Sequence, residues 1–217
     1  MITKKLPRST LDANHLRKIL ESNDREAIWA VERTWGTIRA ERDPAREKVV
    51  RAMGNYLQRH PGDPRAGRAV FRKLCMQCHT IYGEGQPVGP DLTSNGRGSF
   101  DQLLASVFDP SLVIGPSYQT TTVATESGRS LTGLLVEDSQ RRIVLKLPGG
   151  GQEVIPRNDL KSLRTGKLSM MPEGIENSLD KSELADLFAF LALDRPPEDA
   201  RARPIPGAPV QAHQSRK

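Results

Sequence analysis

Cys75-Met76-Gln77-Cys78-His79 spends both cysteines of the chain in one unit, and its reading decides what fold to expect around it. Two thiols three residues apart followed at once by a histidine are the pattern of c-type haem attachment. Each thiol can form a thioether to a haem vinyl group, and the adjoining imidazole is then held against one face of the iron as proximal ligand. A structural zinc site needs four nitrogen or sulfur ligands; there is no third cysteine, and His15, His60 and His213 are scattered without ligand spacing. A redox dithiol expects a strand ahead of it in a βαβ unit. The twelve residues Asp63 to Leu74 read instead as a helix entering the motif. Asp63 suits a cap, Pro64 the first helical position, and Ala66, Val70 and Leu74 share a stripe. One covalently bound haem c, with Cys75, Cys78 and His79 holding it, is the expectation.

Working outward, the chain of 217 residues divides by pattern. Residues 1–62 read as a leading helical segment, a possible remnant of a helical-repeat array, with stripes at Ile28, Val31, Trp35 and Ile38 and at Val49, Met53, Tyr56 and Leu57. Gly36 interrupts the first stripe, and His60-Pro61-Gly62 breaks the chain. Residues 63–195 read as a helical haem domain. Phe100, Leu103, Leu104, Val107 and Phe108 have the spacing of one buried helix face that Asp109-Pro110 ends. Asp180 with Glu183 forms a capping-box pattern ahead of Leu184, Leu187, Phe188 and Leu191. Between these helices the period changes to that of three or four short antiparallel strands between Tyr118 and Pro156, an insert placed at about 118–165. Residues 196–217, rich in proline and arginine and without periodicity, read as a disordered tail. The expected fold class is mainly α, with a small antiparallel β insert.

Aromatic residues make up only 5% of the chain, so a cofactor could supply part of the apolar core. The net charge of +6 arises from 32 basic and 26 acidic residues that are interspersed, without the basic run that nucleic-acid binding would call for. The balance suits acidic protein partners better. No stretch of 18 apolar residues exists, so no transmembrane helix is expected.

For the sixth iron position the best candidates are Met170 and Met171, in Met170-Met171-Pro172-Glu173-Gly174. A thioether is a soft ligand, and Pro172 stiffens the loop that would present it. Ordinary core filling is the competing reading for both methionines.

Cys75 to His79, Gly89-Pro90-Asp91-Leu92, Met171-Pro172 and the closing helix Glu183 to Leu193 together resemble a class I cytochrome c. The resemblance implies that the Pro90 carbonyl holds the other ring nitrogen of His79. It also implies that Met171, the methionine followed by proline, is the sixth ligand, with Met170 the alternate. Residues 67–193 resemble more closely the haem-binding domain of the planctomycete and verrucomicrobial type. That likeness is carried by Asp109-Pro110-Ser111, Gly115-Pro116-Ser117-Tyr118-Gln119-Thr120, Gly128-Arg129, Leu131-Thr132-Gly133, Ile155-Pro156-Arg157 and Ser169 to Gly174. In such chains the domain accompanies a dehydrogenase-like propeller, which this sequence lacks.

The resemblance implies a mono-haem carrier of single electrons, working with a redox partner protein or a dehydrogenase domain, and no enzyme in its own right. Outside the motif there is no nucleophile and base pair, nucleotide loop or second metal cluster. The alternative is a haem-bearing sensor or interaction module with a displaceable sixth ligand. Haem of this kind is attached outside the cytoplasm, so a periplasmic or other extracytoplasmic location is expected. Near the amino end, Pro7, Arg8, Asp12, Asn14, His15, Arg17 and Lys18 interrupt any apolar core of an export signal. Three accounts fit: a misassigned start codon, a fragment or truncated relative of a longer protein, or a decayed gene; the fragment or truncated relative is the favoured expectation.

Overall fold

The computed structural model describes Leu16, Ile19, Leu20, Ser22, residues 24–39 and residues 43–209. Pro7, Arg8, Asp12, Asn14, His15, Arg17 and Lys18, from which the amino end was read, and tail residues 210–217 lie outside this set. Five helices are described in full: α1 Arg25–Trp35, α2 Pro44–Arg59, α3 Pro64–Leu74, α4 Phe100–Phe108 and α5 Lys181–Leu191. Each starts on a side chain that caps it: Asp24, Asp43, Asp63, Ser99 and Asp180 accept hydrogen bonds from first-turn amides. The Asp180–Glu183 capping box is complete in both directions. α1 stops at Gly36, whose φ of 86° lies outside the helical region.

Helices α2 to α5 surround one apolar cluster that takes in all five phenylalanines of the chain. Phe108 stacks on Phe188 with ring centroids 5.1 Å apart, and Phe71 tilts against Phe190 at 5.5 Å. The closest approach is between α3 and α5. A methyl group at Gly67 would stand 1.8 Å from the Asp186 carbonyl oxygen and 2.9 Å from Phe190 Cβ, so only glycine lets these two backbones meet. Asp186 also accepts the Asp63 amide at 2.7 Å, tying the start of α3 to the middle of α5.

The expected class, mainly α, is corrected by the five-stranded antiparallel sheet that separates α4 from α5, which makes the chain mixed α and β. Two short pairings precede it: β1 (Thr37–Ile38) with β4 (Val113–Ile114), and β2 (Thr80–Ile81) with β3 (Glu84–Gly85). The sheet itself comprises β5 (Gln119–Thr125), β6 (Ser130–Asp138), β7 (Arg142–Lys146), β8 (Gln152–Pro156) and β9 (Leu160–Ser169), in the order β8-β7-β6-β5-β9. Thr121, Val123 and Thr125 are buried while Thr122 between them is exposed, the alternation of a one-sided sheet. Val123, Ile143, Leu145 and Ile155 form a second apolar cluster of the sheet's own. Burial of each contributes about 1.5–3 kcal/mol.

Two further expectations change. The strands do not close the insert at Pro156: Gln119 lies opposite Ser169, whereas Pro156 pairs with Arg142 on β7, at the far side of the sheet. Strand β9 was not anticipated because Leu160 to Ser169 places only Leu160 and Leu163 against the sheet core and exposes most of the rest. Secondly, residues 196–209, expected to be disordered, are held to the helices. Ile205 is buried in the phenylalanine cluster, and its amide donates to the Ala192 carbonyl at 2.8 Å. One buried isoleucine among prolines leaves no periodic signal, yet it anchors the segment.

The leading helices touch the rest of the chain at defined points. Leu57 of α2 belongs to the phenylalanine cluster. Arg46 of α2 donates to the Phe108 carbonyl at 2.7 Å and to Glu176 at 2.8 Å. Arg39, just after β1, meets both carboxylate oxygens of Asp109, which is 5% exposed.

Candidate functional site

The cap at Asp63 and the proline at position 64 set the direction of α3, and its last turn runs straight into the cysteine motif. The Cys75 amide donates to Phe71 O at 2.8 Å, Cys78 N to Cys75 O at 3.0 Å and His79 N to Cys75 O at 2.9 Å. Cys75, Cys78 and His79 therefore occupy one continuous turn at the end of the helix. Both cysteines are free thiols and half-buried. Burial, with Cys78 beside it, pushes the Cys75 thiol up to about 12. Such a thiol is protonated at neutral pH, unlike the activated thiolate of a dithiol exchanger.

The loop after β3 folds back over this turn. Gln86 N donates to Met76 O at 2.9 Å, Val88 N to Cys78 O at 3.1 Å, Gly89 N to Cys78 O at 2.6 Å and Leu92 N to Thr80 O at 2.8 Å. These bonds bring the Pro90 carbonyl to 3.0 Å from His79 Nδ1. A carbonyl can only accept, so Nδ1 carries the proton and Nε2 keeps its lone pair. No side chain among the described residues bonds Nε2. Burial lowers the His79 pKa against the opposing pull of the Pro90 hydrogen bond, which favours the neutral ring.

Gly89 is the residue whose role the sequence did not disclose. A methyl group there would lie 2.6 Å from His79 Cε1 and 2.9 Å from Nδ1, so the loop can approach the flat of the imidazole only with glycine at this position. The contact joins positions ten apart through a turn, and nothing in local composition announces it. Gly85 is similarly confined, with a would-be methyl 2.0 Å from the His79 carbonyl oxygen.

Met171 packs against the same apolar cluster as Cys75 and Met76; Met170 is half-buried beside it. The loop carrying them is pinned at both ends. The Ser169 amide donates to Ser111 Oγ at 3.1 Å, the Met171 amide to Ser169 Oγ at 3.1 Å, and Glu176 further on receives Arg46. The structure thus places Cys75, Cys78 and His79 on one turn, bonds His79 to Pro90, and sets Met171 on the apolar cluster that Cys75 also packs against.

Among the described residues there is no group of three or more His, Cys, Asp or Glu side chains able to hold a metal ion. What the turn can do chemically is narrower: offer two thiols three residues apart on one side of a turn to a planar electrophile, and one oriented imidazole nitrogen to a metal within it. No helix among the described residues is long and apolar enough to cross a membrane.

No protein-family model matches the chain. Over 38 residues it is 42% identical to cytochrome c of Ginkgo biloba, a stretch that covers 17% of this chain and 34% of that protein. The chain therefore spans about a third of the length of the curated relative it matches. Over that stretch it is similar to a cytochrome c.

Proposed function

We propose that this chain is a mono-haem c-type cytochrome domain that passes single electrons between redox partners. The observation that carries the reading is the hydrogen bond of His79 Nδ1 to the Pro90 carbonyl beneath Gly89, on the same turn as the two free thiols. The donor set fits haem c: Cys75 and Cys78 for the thioethers, the lone pair of His79 Nε2 for one axial position, and Met171 for the other.

Bound haem would supply a one-electron iron couple. The chain's own residues do the rest. The Pro90 carbonyl fixes the His79 tautomer and ring direction and raises the basicity of the ligating nitrogen. Five buried phenylalanines exclude water from one side of the site. Ser169 and Ser111 hold the Met171 loop by its backbone, leaving the thioether to ligate. Met171 is favoured over Met170 because it packs on the cluster that Cys75 also touches. Attachment through two thioethers places maturation outside the cytoplasm, so an extracytoplasmic location and a partner protein or dehydrogenase domain belong to the same proposal. So does the assignment of residues 67–193 to the planctomycete and verrucomicrobial type, which rests on the residue series quoted above.

The test is expression behind an export signal together with a haem-attachment system, followed by extraction with acidified organic solvent. Haem should stay with the wild-type protein and be released when Cys75 and Cys78 are both changed to serine. Wild-type pigment that extracts freely, or protein that purifies with stoichiometric zinc, overturns the assignment.

A further inference from the structure

Arg97 is 8% exposed; among the described residues no carboxylate lies within ion-pair distance of it, and Asp91 feels its charge only through space. Burying a guanidinium costs several kcal/mol unless its donors are met, so what it meets shows why it is there. Nε donates to the Leu92 carbonyl, Nη2 to Thr93 O at 3.1 Å, and Nη1 to Leu191 O at 2.8 Å, to Leu193 O and to the Tyr82 hydroxyl at 3.1 Å. Tyr82 in turn donates its hydroxyl proton to Leu193 O. Leu191 and Leu193 lie at the carboxyl end of α5, where the carbonyls of the last turn have no helical partner and the helix dipole favours a cation. Leu92 and Thr93 follow directly on Pro90 and Asp91.

These contacts close a circuit. α5 meets α3 at Gly67, α3 leads to Cys75 and His79, and His79 bonds to Pro90. From there Leu92 and Thr93 reach Arg97, and Arg97 returns to the end of α5. The Leu92 residue is gripped from both sides, its amide on Thr80 O at 2.8 Å and its carbonyl on Arg97. These grips anchor the chain two residues past the Pro90 carbonyl and so restrict the turn that presents it to the imidazole.

We propose that Arg97 is a positioning residue for His79, fixing the Pro90–Leu92 peptides against the end of the last helix and so directing the Pro90 carbonyl at the imidazole. The inference rests on the haem reading for its consequence at the iron, but its structural part concerns this chain alone. Arg97 sits in Gly96-Arg97-Gly98, a loop sequence that gives no hint of a buried cation.

Two variants test it, Arg97→Lys, which keeps the charge and loses the fork, and Tyr82→Phe, which removes one partner and keeps the ring. Amide hydrogen exchange is read at Leu92 and Gly89 on the chain as purified, with Thr122 and Leu134 of the sheet as internal references. Arg97→Lys should speed exchange at Leu92 at least tenfold and leave the sheet amides unchanged; Tyr82→Phe should speed it about threefold. In the haem-loaded protein both should raise the reduction potential, Arg97→Lys more, because a slackened Pro90 bond leaves a less basic ligand to stabilise ferric iron. A purely structural role would lower the melting temperature without moving the potential. Leu92 exchange and potential at wild-type values in both variants overturn the inference, and if Arg97→Lys does not fold, Tyr82→Phe decides alone. Wild-type protein without attached haem would overturn the proposed function instead, while Leu92 exchange would still decide the role of Arg97.

Discussion

The helical region and the sheet are held together in different ways. Around α3 and α5 the core is aromatic, and it depends on close approaches that one residue type alone allows, as at Gly67 and Gly89. The sheet core is aliphatic, built from Val123, Ile143, Leu145 and Ile155 without an aromatic ring, and three of its surface arginines are paired with carboxylates: Arg129 with Glu153, Arg142 with Glu137, Arg157 with Asp138. A core of the first kind fails when one atom is added, whereas the second should tolerate substitutions that keep pattern and volume. The candidate chemistry lies beside the first kind of core, with Cys75 and Met171 packed against it.

The largest effect should come from Gly67→Val. With even a first methyl 1.8 Å from the Asp186 carbonyl oxygen, α3 and α5 must separate. The helical region should lose its cooperative melting transition, a loss of about 3 kcal/mol or more. Hydrogen exchange in β5 and β6 should stay slow, because the sheet has its own cluster. Equal loss of protection in both regions would show a single cooperative unit and break the contrast.

Next in size is removal of the sheet. Gln119 and Ser169 are paired, with Cα atoms roughly 5 Å apart, so residues 120–168 can be replaced by a short glycine and serine linker. The shortened chain should still take up covalent haem, with a lower melting temperature from losing contacts such as Lys146 Nζ to Pro87 O, 2.7 Å. Failure to attach haem would make the sheet part of the site.

A local change follows. Met171→Ala should abolish the far-red sulfur-to-iron charge-transfer band, lower the reduction potential and open the iron to carbon monoxide, while Met170→Ala should change little. Identical spectra for Met171→Ala and wild type would move the ligand, and a wild type that already binds carbon monoxide readily would favour a sensor over a carrier.

The smallest effect is electrostatic. Arg68 hydrogen-bonded to Glu84, with Arg72 beside it, holds the Glu84 carboxyl down at about 2. Its folded pKa lies below the unfolded value, so its stabilisation is present above pH about 4.5 and is lost as pH falls toward 2. The pair is half exposed, which keeps the contribution small. Melting temperatures of wild type and Glu84→Gln should therefore differ at pH 6, draw together below pH about 4.5 and converge only as pH reaches about 2; a constant gap would assign the effect to packing.

How legible each region was follows from the same contrast. Local signals gave the helices away: the Asp63 cap with Pro64, the Asp180–Glu183 box, and the stripes from Phe100 to Phe108 and Leu184 to Leu191 all match observed caps and buried faces. The cysteine motif is local too. What escaped was whatever depends on residues distant in the chain. Gly67 and Gly89 carry no periodicity, Arg97 lies between glycines, Ile205 lies among prolines, and β9 turns only two leucines to its core. The class was misjudged for this last reason, since reading the insert as a minor element understated a sheet whose longest strand has the weakest alternation.

The bond from the Asp63 amide to Asp186 spans 123 residues, and this separation bears on the order of events during synthesis. The helix that presents the two thiols leaves the ribosome long before the helix that closes over it, whereas every strand of the sheet pairs within the stretch between them. Loop closure over such a distance is slow, and chains fold in the order in which they emerge. Cys75 and Cys78 thus pass through an interval in which the sheet can form while their own helix has no partner. In that interval both sulfurs stand open to reagents, and the arrival of the final helix ends it.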